Sequence, residues 1–186
     1  MDNFSRHWAA YPRQFPSACP LVSMGEIKHK NHRIKMAFQS CNFSIILRGR
    51  GDFQRKNQVW PVEAPFVLTQ WPDDPVHYGP FVPAGTWDEI YLIYDAKSLP
   101  WFRARGFADE AKPVWPIDNL EGVLAQVDEL RALSSRQSLE SSVDRVDRVG
   151  ERLILESLLP GVKARSNSSD EIVQHIVLQF RNHPHL

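Results

Sequence analysis

The 186-residue chain lacks an excess of charge of either sign: 22 Lys+Arg stand against 22 Asp+Glu, for a net charge of zero. That excludes a chain that holds nucleic acid by a broad basic face. Cysteine is scarce. Cys19 and Cys41 are the only two, without CxxC spacing, so neither a disulfide framework nor a zinc ribbon is written here. Both thiols read as small buried apolar residues, and a reducing cytoplasm is the simplest compartment. No window approaches the ~20 apolar residues of a membrane span. Met1 to His7 has no apolar core of a signal peptide. The expectation is a soluble cytoplasmic protein with no membrane partner. Also missing are a serine nucleophile elbow, a glycine-rich phosphate loop and a Cys/His pair.

What the chain does have is material for a core, with 42% hydrophobic residues, six Trp and ten Phe, in a length that suits one domain. Residues 1–20 carry Pro12, Pro16 and Pro20 among Trp8, Tyr11 and Phe15. They read as an extended arm with something to bury. Short strands are expected from Leu21 to Ile27, His32 to Phe38 and Phe43 to Arg48, with Gly49 and Gly51 bending the end of the third. A hairpin through Gln54 to Gln58 returns along Val59-Trp60. Turns at Glu63-Ala64-Pro65 and Pro72 to Pro75 flank a strand beginning at Phe66. Trp87 to Tyr94 is the last strand, with Ile90, Leu92 and Tyr94 on one face and Trp87, Tyr91 and Ile93 on the other.

The hydrophobic period then lengthens. Leu120, Val123, Val127 and Leu130 recur at helical spacing, with Asp118 as the expected N-cap. A second amphipathic helix is expected from Ser142 to Leu159, ended by Pro160-Gly161. A polar linker over 161–168 precedes a short third helix over 169–186. The fold class expected is mainly β with C-terminal α. Its parts are an arm (1–20), a cupin-like jelly-roll barrel (21–117) and a helical region (118–160), followed by the linker and the start of a further domain.

In order and spacing, Leu47-Arg48-Gly49-Arg50-Gly51, Gln58-Val59-Trp60-Pro61-Val62, Phe66 to Leu68, Pro72 to Tyr78 and Trp87 to Tyr94 resemble the sensing domain of the arabinose-regulator (AraC/XylS) family of transcription regulators. Asp170 to Pro184 is similar to the entry helix of that family's helix-turn-helix DNA-binding domain. The turn Glu63-Ala64-Pro65 departs from the family's common Pro-Gly-Asp. The resemblance covers about residues 40–186. It implies the effector-binding and dimerisation half of an activator, cut just inside its DNA-binding half. The partners it implies are a small-molecule effector such as a sugar or aromatic acid, a second copy of the chain, and DNA through the missing domain; no cofactor is implied.

The same resemblance places Arg48, Tyr78, Trp87 and Tyr91 around an effector in the barrel, with the arm closing over it. An Arg offers five donors in a fixed fork, and aromatic faces pack on flat or C–H-rich ligands. His77 is a further candidate contact. The stripe Leu120, Val123, Val127, Leu130 is implied as a seam between two subunits; burial of both helical stripes within one chain is the alternative. A metal-dependent cupin enzyme, an isomerase or dioxygenase, would need His77, His29 and His32 to converge with a carboxylate. No spacing in the sequence favours that, and no metal is expected. Asp52, Asp73, Asp74, Asp88 and Glu89 read as solvated carboxylates of turns and strand starts.

Overall fold

The computed structural model describes residues 4–81, 83, 85–135 and 142–161. The expected linker, apart from Gly161, and the third helix lie outside them. The strands are β1 (Phe4–His7), β2 (Leu21–Lys30), β3 (Ile34–Ala37), β4 (Ser40–Arg55), β5 (Gln58–Glu63), β6 (Phe66–Gln70), β7 (Pro75–Pro80), β8 (Trp87–Asp95) and β9 (Val114–Pro116). The helices are α1 (Leu99–Ala104), α2 (Leu120–Ser134) and α3 (Val143–Leu158). The expected class holds: an antiparallel, cupin-like barrel followed by helices.

One strand organises the barrel. The first half of β4 lies between β8 and β6 in a sheet of order β1-β2-β8-β4-β6-β9. Its second half lies between β7 and β5 in a second sheet that also includes β3. The glycines therefore sit inside a 16-residue strand rather than at its end, which corrects the sequence expectation. Gly49 takes φ +97°, and a Cβ there would come within 2.2 Å of the Thr86 carbonyl oxygen, so only glycine allows the strand to pass from one sheet to the other.

The alternation of β8 sorts side chains into two cores. Ile90, Leu92 and Tyr94 join Phe43, Ile45, Met24 and Val67 on the face covered by helices. Trp87 faces inward with Ile46, Phe53, Leu68, Val76 and Tyr78 between the sheets. Phe102 of α1 packs edge-to-face on Phe43 and Tyr94, with centroids 5.1 and 5.0 Å away. The α2 cap is Asn119, whose Oδ1 accepts from the Gly122 amide at 3.1 Å; the Asp118 expected from sequence lies one residue early.

Val123, Val127 and Leu130 are fully buried in the helix-side core with Val143, Val146, Leu153 and Ile154 of α3, and Leu120 packs on its margin. The stripe that the family resemblance assigns to a second subunit is thus covered within the chain. The exposed large apolar residues of the pair are Leu124, Leu155 and Leu158.

The arm is not over the barrel. Trp8 is buried in the helix-side core, and residues 13–21 are tied to α3. Arg13 donates from Nε to Asp147 Oδ2 at 3.1 Å and from Nη2 to Oδ1 at 3.2 Å, while the Leu21 amide donates to Oδ1 at 2.9 Å. Asp144 accepts from the amides of Gln14 and Phe15, both at 3.0 Å. The expectation that the arm closes over a barrel ligand is corrected accordingly. The carboxylates of α3 hold the arm on the helix side by accepting from the Gln14, Phe15 and Leu21 amides.

A second tie joins β2 to α2. Arg131 donates from Nη2 to both Glu26 oxygens at 2.8 Å and from Nε to Oε2 at 3.1 Å. Burial pushes the Glu26 carboxyl up, but the hydrogen bonds and charges of Lys28 and Arg131 outweigh it and hold it below its ordinary 4.5. A carboxyl lowered in the folded state adds stability that is full above the unfolded value and lost as pH falls through the folded one. Arg131→Met should therefore cost about 1 kcal/mol at pH 7. The gap to the parent protein should close below about pH 4 in urea titrations run across pH. A gap that is the same at pH 3 and pH 7 would refute the assignment.

Candidate functional site

A cavity of about 200 Å³ lies between the two sheets, lined by Ile27, Lys30, Ile34, Phe38, Asn42, Ser44, Gln70, Tyr78, Glu89, Tyr91 and Ile93. Its floor is the inner face of the first sheet. Asn42 and Ser44 alternate on β4 with the core residues Phe43 and Ile45. Glu89, Tyr91 and Ile93 alternate on β8 with Ile90 and Leu92. Gly25 of β2 is the register partner of Tyr91, and a Cβ there would fall 2.3 Å from the Tyr91 hydroxyl. The absent side chain is what lets that ring lie on β2.

Charge inside is paired. Lys30 Nζ lies 2.6 Å from Glu89 Oε2, the two side chains being 1% and 2% exposed. Trp87 Nε1 donates to the same oxygen at 3.2 Å. The Lys30 ammonium also stands 4.8 Å from the centroid of Tyr78 and 5.7 Å from that of Trp87, and those two rings stack 6.3 Å apart. Burial first, and then the charge of Glu89, push the Tyr78 phenol far above its usual value, so it stays neutral. The amide side chains are less complete. Ser40 Oγ donates to Asn42 Oδ1 at 2.8 Å and Gln70 Nε2 donates to Ser44 Oγ at 3.3 Å, but Asn42 Nδ2 and Gln70 Oε1 are buried without a partner.

Of the residues singled out from sequence, Tyr78 and Tyr91 line this cavity, and Trp87 backs it through Tyr78 and Glu89. Arg48 does not. Its side chain is 82% exposed and 3.9 Å from Asp88 Oδ2. The cause is a bulge: Ile46 pairs Glu89 and Arg48 pairs Asp88, so two steps on β4 match one on β8 and the inward alternation is lost. His77 is outside as well. On β7 its Nε2 accepts from Arg33 Nε at 3.0 Å, beside the Arg33–Asp52 ion pair, in an open groove with Lys35 and Lys56. Desolvation and the Arg33 charge lower its imidazole below the usual 6.5, against the opposing pull of Asp52.

The carboxylates divide. Glu89 and Asp88 are buried rather than solvated, and Asp74 pairs with the buried Arg55, which also donates to the Glu110 carbonyl oxygen at 3.0 Å. Those are corrections to the sequence expectation, and in each case the buried carboxylate has a cationic or N–H partner. His29 is exposed near the end of β2 rather than at the expected turn, and His77 lies on the other sheet. Among the described residues no three His, Cys, Asp or Glu side chains converge as a metal site would need. Cys19 and Cys41 are buried and free, and burial raises each thiol to about 12, which leaves them unreactive. Sequence reasoning passed over Lys30, Asn42, Ser44 and Gln70, and took Glu89 for a solvated carboxylate. The signal for Glu89 was present, since it falls between Trp87 and Tyr91 on the same face of β8.

No protein-family model and no curated protein matches the chain. Solved structures do. The AraC-like transcriptional activator CuxR aligns over 99% of this chain and 72% of its own, at 11% identity and a TM-score of 0.54. A Cupin 2 conserved barrel domain protein from Salinispora arenicola CNS-205 aligns over 55% of this chain and 84% of its own, at 13% identity and a TM-score of 0.37. The polyketide cyclase RemF from Streptomyces resistomycificus aligns over 40% of this chain, at 11% identity and a TM-score of 0.33; this chain spans 54% of its length. At these identities the likeness is one of fold. No helix among the described residues is long and apolar enough to cross a membrane.

Proposed function

We propose that this chain is the ligand-sensing domain of an AraC-type transcription regulator, taking a small effector into the cavity between the sheets. The observation that carries the reading is the cavity itself: a space of about 200 Å³ between the sheets walled by aromatic rings and polar side chains. The fold-level likeness to an AraC-like activator supports the regulatory reading over an enzymatic one. Effector contacts are assigned to Tyr78 and Tyr91, with Trp87 holding Tyr78 in place. Arg48 and His77, outside the cavity, are left without that role.

In this reading DNA is contacted by a domain beyond the described residues. The signal passes through the first sheet, whose one face forms the cavity floor and whose other face carries α2, α3 and the arm. A second copy would cover Leu124, Leu155 and Leu158, the apolar side chains the helix pair leaves exposed. The test is calorimetry of the purified chain against a panel of small sugars, aromatic acids and heterocycles, repeated with Ser44→Leu and Arg48→Ala. A ligand that binds the parent and Arg48→Ala chains but is lost from Ser44→Leu, whose added side chain fills the cavity, supports the reading. A ligand indifferent to Ser44→Leu, or lost from Arg48→Ala, refutes the assigned site.

A further inference from the structure

We infer that the cavity takes a small uncharged molecule with a lactam-type edge, a C=O beside an N–H on a flat ring, read by Asn42 and Gln70. This inference rests on the sensing reading above and names its ligand class. Asn42 on β4 and Gln70 on β6 are register partners, so their side chains stand side by side on the cavity floor. Each amide spends one end on a serine: Asn42 Oδ1 accepts from Ser40 Oγ and Gln70 Nε2 donates to Ser44 Oγ. The other ends, a donor on Asn42 and an acceptor on Gln70, are buried, unpaired and not bonded to each other. Buried polar atoms in folded proteins are nearly always paired, and two adjacent exceptions inside one cavity indicate a missing partner. A carbonyl opposite Asn42 Nδ2 and an N–H opposite Gln70 Oε1 satisfy both. The hydroxyls of Ser40 and Ser44 can donate or accept, so turning both amides over exchanges the two roles and leaves the same complementary edge.

The rest of the lining fixes the other properties. Among the described residues that line the cavity, Lys30 and Glu89 alone are charged, and they are paired with each other. A carboxylate or ammonium ligand would enter without a free counter-charge and lose its hydration. Tyr78 and Tyr91 offer ring faces, and Ile27, Ile34, Phe38 and Ile93 offer apolar wall, which suits a flat body better than one hydroxylated all round. A cavity of about 200 Å³ matches the size of one substituted ring.

The experiment is calorimetry of the full chain with uracil and δ-valerolactam, alongside 1,3-dimethyluracil, benzoate and xylose. A second readout follows the side-chain amide NMR signals of Asn42 and Gln70, assigned from Asn42→Leu and Gln70→Met. The expected result is that uracil or δ-valerolactam binds and shifts both amide signals. Methylating the edge weakens uracil at least ~10-fold, the usual penalty for an unmet buried hydrogen bond, and Gln70→Met does the same. Binding of either lactam-edge probe that Gln70→Met leaves unchanged overturns the inference, as does its failure to bind at all. If benzoate or xylose binds instead and is lost in Ser44→Leu, the lactam class falls while the sensing reading stands. If no compound binds, both fall.

Discussion

Asp147→Ala should lower stability by about 3–5 kcal/mol, as expected when one member of a buried ion pair is removed. The Asp147 side chain is fully buried. Deleting it strands the Arg13 guanidinium, itself only 12% exposed, and leaves the Leu21 amide without its acceptor. Arg13 also donates to the carbonyl oxygens of Trp8 and Leu21 at 2.8 and 3.0 Å, so Asp147 anchors the guanidinium that ties this part of the arm together. For a chain of this length the loss corresponds to a drop in Tm of roughly 10 °C. Urea unfolding gives the energy, and hydrogen exchange locates it: amides from Trp8 to Leu21 should exchange faster in the variant than those of β4 and β8. Asp144→Ala removes acceptors only from the exposed amides of Gln14 and Phe15 and should cost about 1 kcal/mol. If the two variants prove equally mild, the arm is not held by Asp147.

The latch also marks where sequence reading stops. Three prolines beside Trp8, Tyr11 and Phe15 made residues 1–20 legible as an extended arm with something to bury, but only Trp8 is fully buried, Tyr11 is half-buried, and Phe15 is exposed. Where the arm docks depended on Asp147, 134 positions from Arg13, and nothing local in either segment names the other. Strand identity followed the same rule. β8 was legible because period-two alternation is a local property, and the helices because Val123, Val127, Val146 and Leu153 recur at helical spacing. Short elements without such a pattern, α1 and β9, were not seen. They exist because Phe102 and Val114 find tertiary neighbours. Tyr78 and Tyr91 line the cavity, and Arg48 does not for a single-residue reason, the bulge between Ile46 and Arg48 that reverses every later side chain. The polar floor was hidden for a different cause. Asn42, Ser44 and Gln70 are residue types expected at surfaces, and only the closure of the second sheet over them turns a polar face into a buried one.

Breaking the pair inside the cavity should have an effect as large as breaking the latch, and the comparison separates stability from sensing. Lys30→Met leaves the Glu89 carboxylate, among the described residues, with the Trp87 indole N–H alone, and should cost about 3–5 kcal/mol. Glu89→Leu strands the Lys30 ammonium and should cost a similar amount, softened by the faces of Tyr78 and Trp87 that lie beside it. The double variant, with two apolar side chains of comparable bulk, should recover to within about 1–2 kcal/mol of the parent chain, since apolar replacement of a whole buried pair is often neutral. The coupling energy from this cycle should therefore reach at least about 4 kcal/mol, read by urea unfolding at neutral pH. Single losses that simply add would show that the two charges do not depend on each other, and the neutral character assigned to the cavity would lose its basis. A recovered double variant has a further use. It retains Asn42, Gln70 and Tyr91 in a folded barrel but no longer holds Tyr78 by its cation contact. Its ligand affinity then reports how far the orientation of Tyr78, rather than the amide pair alone, sets recognition.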